Sequence, residues 1–175
     1  MSDATPLDVL WNGWRSHYVQ SADVIAAPTE SVFTRILALG LPDEQTFIVH
    51  RGRSTFAILN AFPYSPGHLL VLPYREVPDL VDLTQDEAGE LWATVTDGVV
   101  AVRAAYQPGG VNVGMNLGRP AGGSIREHVH VHVVARWVGD GNFMTAVANT
   151  RTIPETLYDA AAKLRAAWPA HGSQP

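Results

Sequence analysis

The 175-residue sequence contains no cysteine. That excludes disulfides and any cysteine-ligated zinc site, and it suits a reducing compartment. Positive charge is scarce: 12 Lys and Arg against 17 Asp and Glu leave a formal net charge of −5. A surface that coats nucleic acid needs a basic stripe, and this balance argues against one. No apolar run reaches the ~18 residues that a membrane span needs. Met1-Ser2-Asp3-Ala4 carries no basic leader. We expect a cytoplasmic protein that engages neither membrane nor nucleic acid. The patterns GxxxxGK[ST], GxGxxG and GxSxG are all missing, which excludes a P-loop, a Rossmann-type dinucleotide fingerprint and a serine nucleophile elbow. What the chain does have is a hydrophobic fraction of 46%, enough for the core of one domain. We expect that domain to span residues 7–168, with loose tails at 1–6 and 169–175.

The apolar pattern changes period several times. Leu7, Leu10, Trp11, Trp14 and Tyr18 recur at helical spacing. Val32, Ile36 and Leu39 predict a short helix stopped by Gly40 and Pro42. Phe47–Val49 and Thr55–Leu59 read as the strands of a hairpin turning at Gly52, and His68–Leu72 as a buried strand after the Pro66-Gly67 turn. Thr84 and Glu87 form a capping box. Ala88, Leu91, Val95, Val99, Val102 and Tyr106 then make one stripe of a long helix, closed by Gly109-Gly110. Asp86, Glu87 and Glu90 fall off the stripe and read as a solvated face near the helix N-terminus. Val111–Leu117 and His128–Trp137 are two further strands, and Pro154 opens a last helix carrying Leu157, Ala161, Leu164 and Trp168. Five strands and a long crossover helix predict an α+β fold, a mostly antiparallel sheet with helices on one face.

The chemistry concentrates in His128-Val129-His130-Val131-His132-Val133-Val134. Side chains alternate along a strand, so the three histidines share one face and the valines take the other. The long helix can cover the valines. The histidine face is then expected to meet solvent, a ligand or a metal. Three adjacent imidazoles cannot all be protonated cheaply, and a neutral imidazole is a competent nucleophile toward phosphorus. Three readings compete: polar residues on an exposed strand, a zinc site, and phosphorus chemistry. Strict alternation of three histidines weighs against the first. His128 and His132 stand roughly 13 Å apart on an extended strand, which weighs against joint chelation of one zinc ion. A further zinc ligand would have to come from His68 or a carboxylate. Gly122-Gly123-Ser124, just upstream, can offer backbone N–H groups and a hydroxyl to an anion. Arg119 and Arg126 flank that loop as candidates to attract an anionic substrate, and His68, at a strand start, can reach a neighbouring strand. His17, His50 and His171 have no such context.

The segment His128–Val134 is similar to the HφHφHφφ signature of the histidine triad family of nucleotide hydrolases and transferases. The stretch from Asn60 through His68 to Pro73 resembles that family's second motif. Asn112-Val-Gly-Met-Asn116-Leu-Gly, Ala121-Gly-Gly-Ser124, Arg136-Trp137 and Gly139-Asp140-Gly-Asn142-Phe143 look like the actinobacterial diadenosine tetraphosphate phosphorylase branch. The likeness runs from about Leu7 to Trp168. It implies that His130 attacks the α-phosphorus and forms an adenylyl-histidine. It further implies that His128 and His132 orient His130 and bond phosphate oxygens, and that His68 is the fourth active-site histidine. Asn60 would contact ribose hydroxyls, Asn116, Gly123 and Ser124 would bind phosphates, and Trp137 would belong to the same region. The implied reaction is phosphorolysis of diadenosine tetraphosphate to ATP and ADP, with inorganic phosphate as acceptor and neither cofactor nor metal. Hydrolysis of dinucleoside polyphosphates or nucleoside phosphoramidates, transfer from adenylyl sulfate, and non-catalytic nucleotide binding are the alternatives. The implied fold is a HIT-like five-stranded antiparallel sheet with helices packed on one face. The likeness further implies a homodimer with a continuous ten-stranded sheet. Ala135 stands where the branch more often has proline, and is expected to loosen the loop behind the site. Some relatives build a zinc site on cysteines near the N-terminus, which this sequence lacks.

Overall fold

Burial on two sides organises the central strands. β1 (Ile48–Arg51), β2 (Thr55–Leu59), β3 (Leu69–Pro73), β4 (Gly110–Met115) and β5 (Val131–Arg136) form one sheet in the order β1-β2-β3-β5-β4. All four neighbouring pairs are antiparallel. The structure is a computed structural model that describes residues 30–122, 125–140 and 154–170. The helix expected around Leu7–Tyr18, most of both expected tails, and Gly123 and Ser124 lie outside the described residues.

Every residue of β2 and β3 is buried, because both faces of the sheet are covered. On one face Ala57, Leu59, Leu69, Val71, Val131, Val133 and Ala135 pack against two helices, α3 (Gln85–Tyr106) and α4 (Leu157–Ala167). On the other, Ile48, Phe56, Ile58, Leu70 and Leu72 surround Phe33 of the short helix α1 (Val32–Ala38). A one-turn helix, α2 (Asp43–Thr46), follows where the sequence signalled only a stop. Burying a leucine-sized side chain contributes about 1.5–3 kcal/mol, so the alternating apolar positions of β3 alone pin its register. Among the described residues, no helix is long and apolar enough to cross a membrane.

The local expectations hold with instructive exceptions. The hairpin closes where Gly52 N–H donates to the Thr55 carbonyl at 2.8 Å. The capping box is present: Thr84 Oγ1 accepts from Glu87 N–H, and the Glu87 carboxylate accepts from Thr84 N–H. Arg75 also grips that carboxylate, at 2.9 and 2.6 Å, and holds it down at about 2. The α3 stripe is buried at Leu91, Thr94, Val95, Gly98, Ala101 and Val102. The helix ends at Tyr106, with Gln107 left-handed (φ 47°), ahead of the two glycines. Helix α4 starts at Leu157, after a Thr156 hydroxyl that accepts from Asp159 N–H, so a side-chain cap and not Pro154 sets its start.

Glu90 departs most from its expected place. It does not lie on a solvated face. Its carboxylate accepts from the N–H and hydroxyl of Ser54 at 2.9 and 2.6 Å and from the N–H and hydroxyl of Thr55 at 3.2 and 3.3 Å. It therefore stitches the β1–β2 turn to α3, and a Cβ at Gly52 would collide with it. Ala135 also differs from expectation. It is fully buried, and the buried Ser65 hydroxyl donates to its carbonyl at 2.9 Å. The strand exit is tied down there, not loosened.

Candidate active site

The expected strand over His128–Trp137 begins only at Val131, so His128 and His130 precede it. Val129 N–H donates to the Val77 carbonyl at 2.7 Å, which keeps this approach bound to the chain beyond β3. Within β5, Val131, Val133 and Ala135 enter the helix-side core, and His132 takes the opposite face. His132 pairs with Leu70 on one side and Gly114 on the other. A Cβ added at Gly114 would meet nothing within 4 Å, so the sheet face is open beside His132.

The histidine face is not the exposed surface that alternation alone suggests. His128 and His68 are fully buried, and His130 is 6% exposed. Phe33 presses on the rings of both His128 and His130, at centroid distances of 5.6 and 5.7 Å. Burial pushes both imidazoles below their ordinary range; backbone carbonyl acceptors and nearby carboxylates pull weakly the other way. Both rings are therefore neutral at pH 7.

Hydrogen-bond partners assign the protons. The His128 carbonyl lies 2.8 Å from His130 Nδ1. A carbonyl can only accept, so Nδ1 of His130 carries the proton and Nε2 keeps its lone pair. Tyr64 N–H donates to His68 Nδ1 at 3.0 Å, and the Asn60 carboxamide approaches the same nitrogen at 3.3 Å. His68 must then be protonated on Nε2, which donates to His132 Nδ1 at 2.9 Å. A neutral His132 consequently carries its own proton on Nε2. Its ring centroid lies 5.0 Å from that of His130. The cluster thus sets a ring bearing a nucleophilic lone pair next to a ring bearing a donor.

His128 has a different place from the one expected. Its Nε2 donates to the Pro73 carbonyl and its Nδ1 meets Ser31 Oγ, each at 2.8 Å. Neither ring nitrogen is left for a phosphate oxygen. It supports His130 through its main-chain carbonyl. Asn116 directly follows Met115, whose pairing with Val131 ends the β4–β5 register, as His130 directly precedes Val131. Asn60 caps its own loop by accepting from Phe62 N–H at 3.0 Å while contacting His68. Trp137, just past the end of β5, is partly buried and packs against the helix-side core. Arg126 is exposed, and Gly122 has a positive φ of 94°, as a tight turn into the glycine loop requires. His50 stacks on Trp168 at 4.7 Å, away from the cluster.

Sequence reading missed Ser31, Thr34, Glu76 and Tyr64. Tyr64 stacks over His132, with 5.8 Å between centroids and 15° between planes. Ser31 is legible as a cap before an apolar run, but nothing local links it to a histidine 97 positions away. Among the described residues, no group of three or more His, Asp or Glu is placed to hold a metal ion. Both ring nitrogens of His128 are taken by a carbonyl and a hydroxyl, and Nδ1 of His130 by a carbonyl, which weighs against the zinc reading.

Residues 42–138 match the HIT domain. Over 167 residues the chain is 43% identical to an AP-4-A phosphorylase of Mycobacterium tuberculosis, covering 93% of this chain and 85% of that protein. Over 82 residues it is 37% identical to a bis(5'-adenosyl)-triphosphatase of Dictyostelium discoideum, covering 47% and 54% of the two chains. A hypothetical histidine triad nucleotide-binding protein from Sulfolobus tokodaii superposes with a TM-score of 0.63 at 26% identity, covering 77% of this chain and 89% of that one. The match to the domain over more than half of the chain, together with the histidine cluster, shows that this chain belongs to the HIT-domain, or histidine triad, family.

Proposed function

We propose that this protein is a nucleotidyltransferase that cleaves diadenosine tetraphosphate with inorganic phosphate. The observation that carries the reading is the neutral His130 ring, its proton fixed on Nδ1 by the His128 carbonyl. In the first step His130 Nε2 bonds to the α-phosphorus, the bridging P–O bond breaks, and ATP leaves. The ring becomes cationic as the N–P bond forms. Its Nδ1–H bond to the carbonyl then becomes charge-assisted, and so strengthens in the transition state. His132 Nε2–H donates to an oxygen of the reacting phosphate. In the second step a phosphate oxygen attacks the adenylyl-histidine, ADP leaves, and Nε2 regains its lone pair. Dividing the reaction this way is the advantage of covalent catalysis.

Asn116, next to the end of the β4–β5 pairing, and the Gly123-Ser124 loop would bind the polyphosphate. Asn60 would contact the ribose in addition to holding His68. Phosphate is favoured over water as acceptor because similarity to the phosphorylase spans 93% of this chain, against 47% for the triphosphatase. The test is product analysis of diadenosine tetraphosphate digests with and without phosphate. ATP plus ADP, formed only with phosphate, is the expected result. ATP plus AMP in both tubes would instead make the protein a hydrolase with the same nucleophile.

We also propose that a second copy pairs along β4, the last strand of the sheet, where Val113 is 42% exposed. An open strand edge is a ready template for pairing. Sedimentation velocity is expected to give a dimer, and Val113→Glu a monomer. A monomeric wild type would overturn the pairing without touching the chemistry.

A further inference from the structure

We propose that Ser31, anchored through Thr34 and Glu76, is a positioning residue that sets the tautomer and seat of His128 and thereby the carbonyl that orients His130. This rests on His130 as the nucleophile. The argument follows the protons. The Pro73 carbonyl, 2.8 Å from His128 Nε2, can only accept, so that nitrogen carries the proton. His128 Nδ1 must then accept, and its partner at 2.8 Å, Ser31 Oγ, must donate. Ser31 Oγ in turn accepts from Thr34 N–H at 3.1 Å, as the cap of α1. Both segments end on one carboxylate: Glu76 Oε2 accepts from Ser31 N–H at 2.9 Å and from the Thr34 hydroxyl. The role of every donor in this chain is therefore determined: from Ser31 and Thr34 the donors run outward, one way through His128 to the Pro73 carbonyl and the other way to the Glu76 carboxylate.

Place in the fold makes the chain consequential. Ser31 and His128 are both fully buried, so no solvent replaces the hydroxyl if it is lost. Removing it leaves a buried ring nitrogen without a donor, and the ring can answer by changing tautomer or turning. Either response disturbs residue 128, whose carbonyl lies 2.8 Å from His130 Nδ1. Phe33, two residues after Ser31, bears on both rings, so a shift of α1 reaches His130 by a second route. Glu76 is half-buried; burial opposes its ionisation, but the hydrogen bonds from Thr34 and Ser31 outweigh it and hold its carboxyl below the usual range. The anchor is thus charged at neutral pH.

The test compares Ser31→Ala, Ser31→Thr and the control Thr84→Ala, which removes a cap of the same kind from α3, away from the triad. Full-length protein with 15N-labelled histidine is read by long-range 1H–15N correlation, which reports each ring's tautomer without any need for turnover. The wild type is expected to show His128 protonated on Nε2 and His130 on Nδ1. Ser31→Ala is expected to mix the His128 tautomers. It is also expected to lower kcat for diadenosine tetraphosphate with phosphate by about 10- to 100-fold, the scale of a small misplacement of a catalytic group, with KM within twofold. Ser31→Thr is expected to restore both readouts, and Thr84→Ala to change neither. An unchanged His128 spectrum in folded Ser31→Ala overturns the proposal, as does a kcat within twofold of wild type. If the wild type turns over no dinucleotide, the catalytic reading fails by itself, and the spectra decide whether Ser31 sets His128.

Discussion

Replacing His130 with alanine is expected to reduce turnover of diadenosine tetraphosphate by about 10⁴-fold or more, the usual consequence of removing the nucleophile of a covalent mechanism. Sequence alternation predicts that this substitution leaves folding intact, because it puts the histidines on one site face. The structure says otherwise. His130 is 6% exposed, and its Nδ1–H satisfies the His128 carbonyl. Alanine leaves a buried acceptor without its donor, at a cost of about 1–3 kcal/mol. Asparagine separates the two effects. Its side-chain amide can stand near Nδ1 and donate to the carbonyl, but it has nothing at Nε2. His130→Asn is therefore expected to match the alanine variant in lost activity and to exceed it in melting temperature. More than a few per cent of wild-type activity in folded His130→Asn would show that His130 is not the nucleophile. Rapid quench of the wild type should trap an acid-labile adenylyl group that neither variant forms.

Replacing Glu90 with alanine is expected to destabilise the fold by about 3 kcal/mol, lowering Tm by roughly 6–12 °C, without touching the histidine cluster. Partial burial opposes ionisation of this carboxyl, but donors from Ser54 and Thr55 prevail and hold it down at about 2. The fully buried Thr55 would lose its acceptor, and the hairpin its tie to α3. The sign of the pH dependence follows. A carboxyl depressed in the folded state binds protons more readily when unfolded. Its stabilisation is complete above the unfolded value of about 4.3 and is lost as pH falls from there through 2. Glu87, also held at about 2 but mainly by Arg75, titrates in the same window. Glu90→Gln should therefore shrink the acid-induced loss between pH 5 and 2 without abolishing it. Equal Tm values for wild type and Glu90→Ala, or an unchanged acid transition, would remove Glu90 from this role.

Much of the fold was legible because its signals are local. The Thr84–Glu87 box, the α3 stripe, the Gly52 hairpin and the alternating valines of β5 depend on neighbours a few residues away. Their spacing is set by helix and strand geometry, which any chain must obey. The Glu90 error has the opposite character. Glu90 read as solvated because its partners lie 36 positions upstream. Pro154 read as a helix start because proline suits a first turn, yet the Thr156 cap lies nearer the helix.

By itself the sequence determined the order of the strands and long helices among the described residues, the face each apolar strand residue takes, and the clustering of the histidines. Periodicity and capping suffice for these. Only the tertiary structure decided which partners each histidine ring meets. Which nitrogen keeps its proton depends on partners from distant segments: the Pro73 and His128 carbonyls, the Tyr64 N–H and the Ser31 hydroxyl. A tautomer is a property of the three-dimensional neighbourhood, because two ring nitrogens of nearly equal basicity are distinguished only by what lies within hydrogen-bonding reach. Spacing brought the imidazoles to one stretch of chain, and folding made one of them a base with a free lone pair and its neighbour a donor.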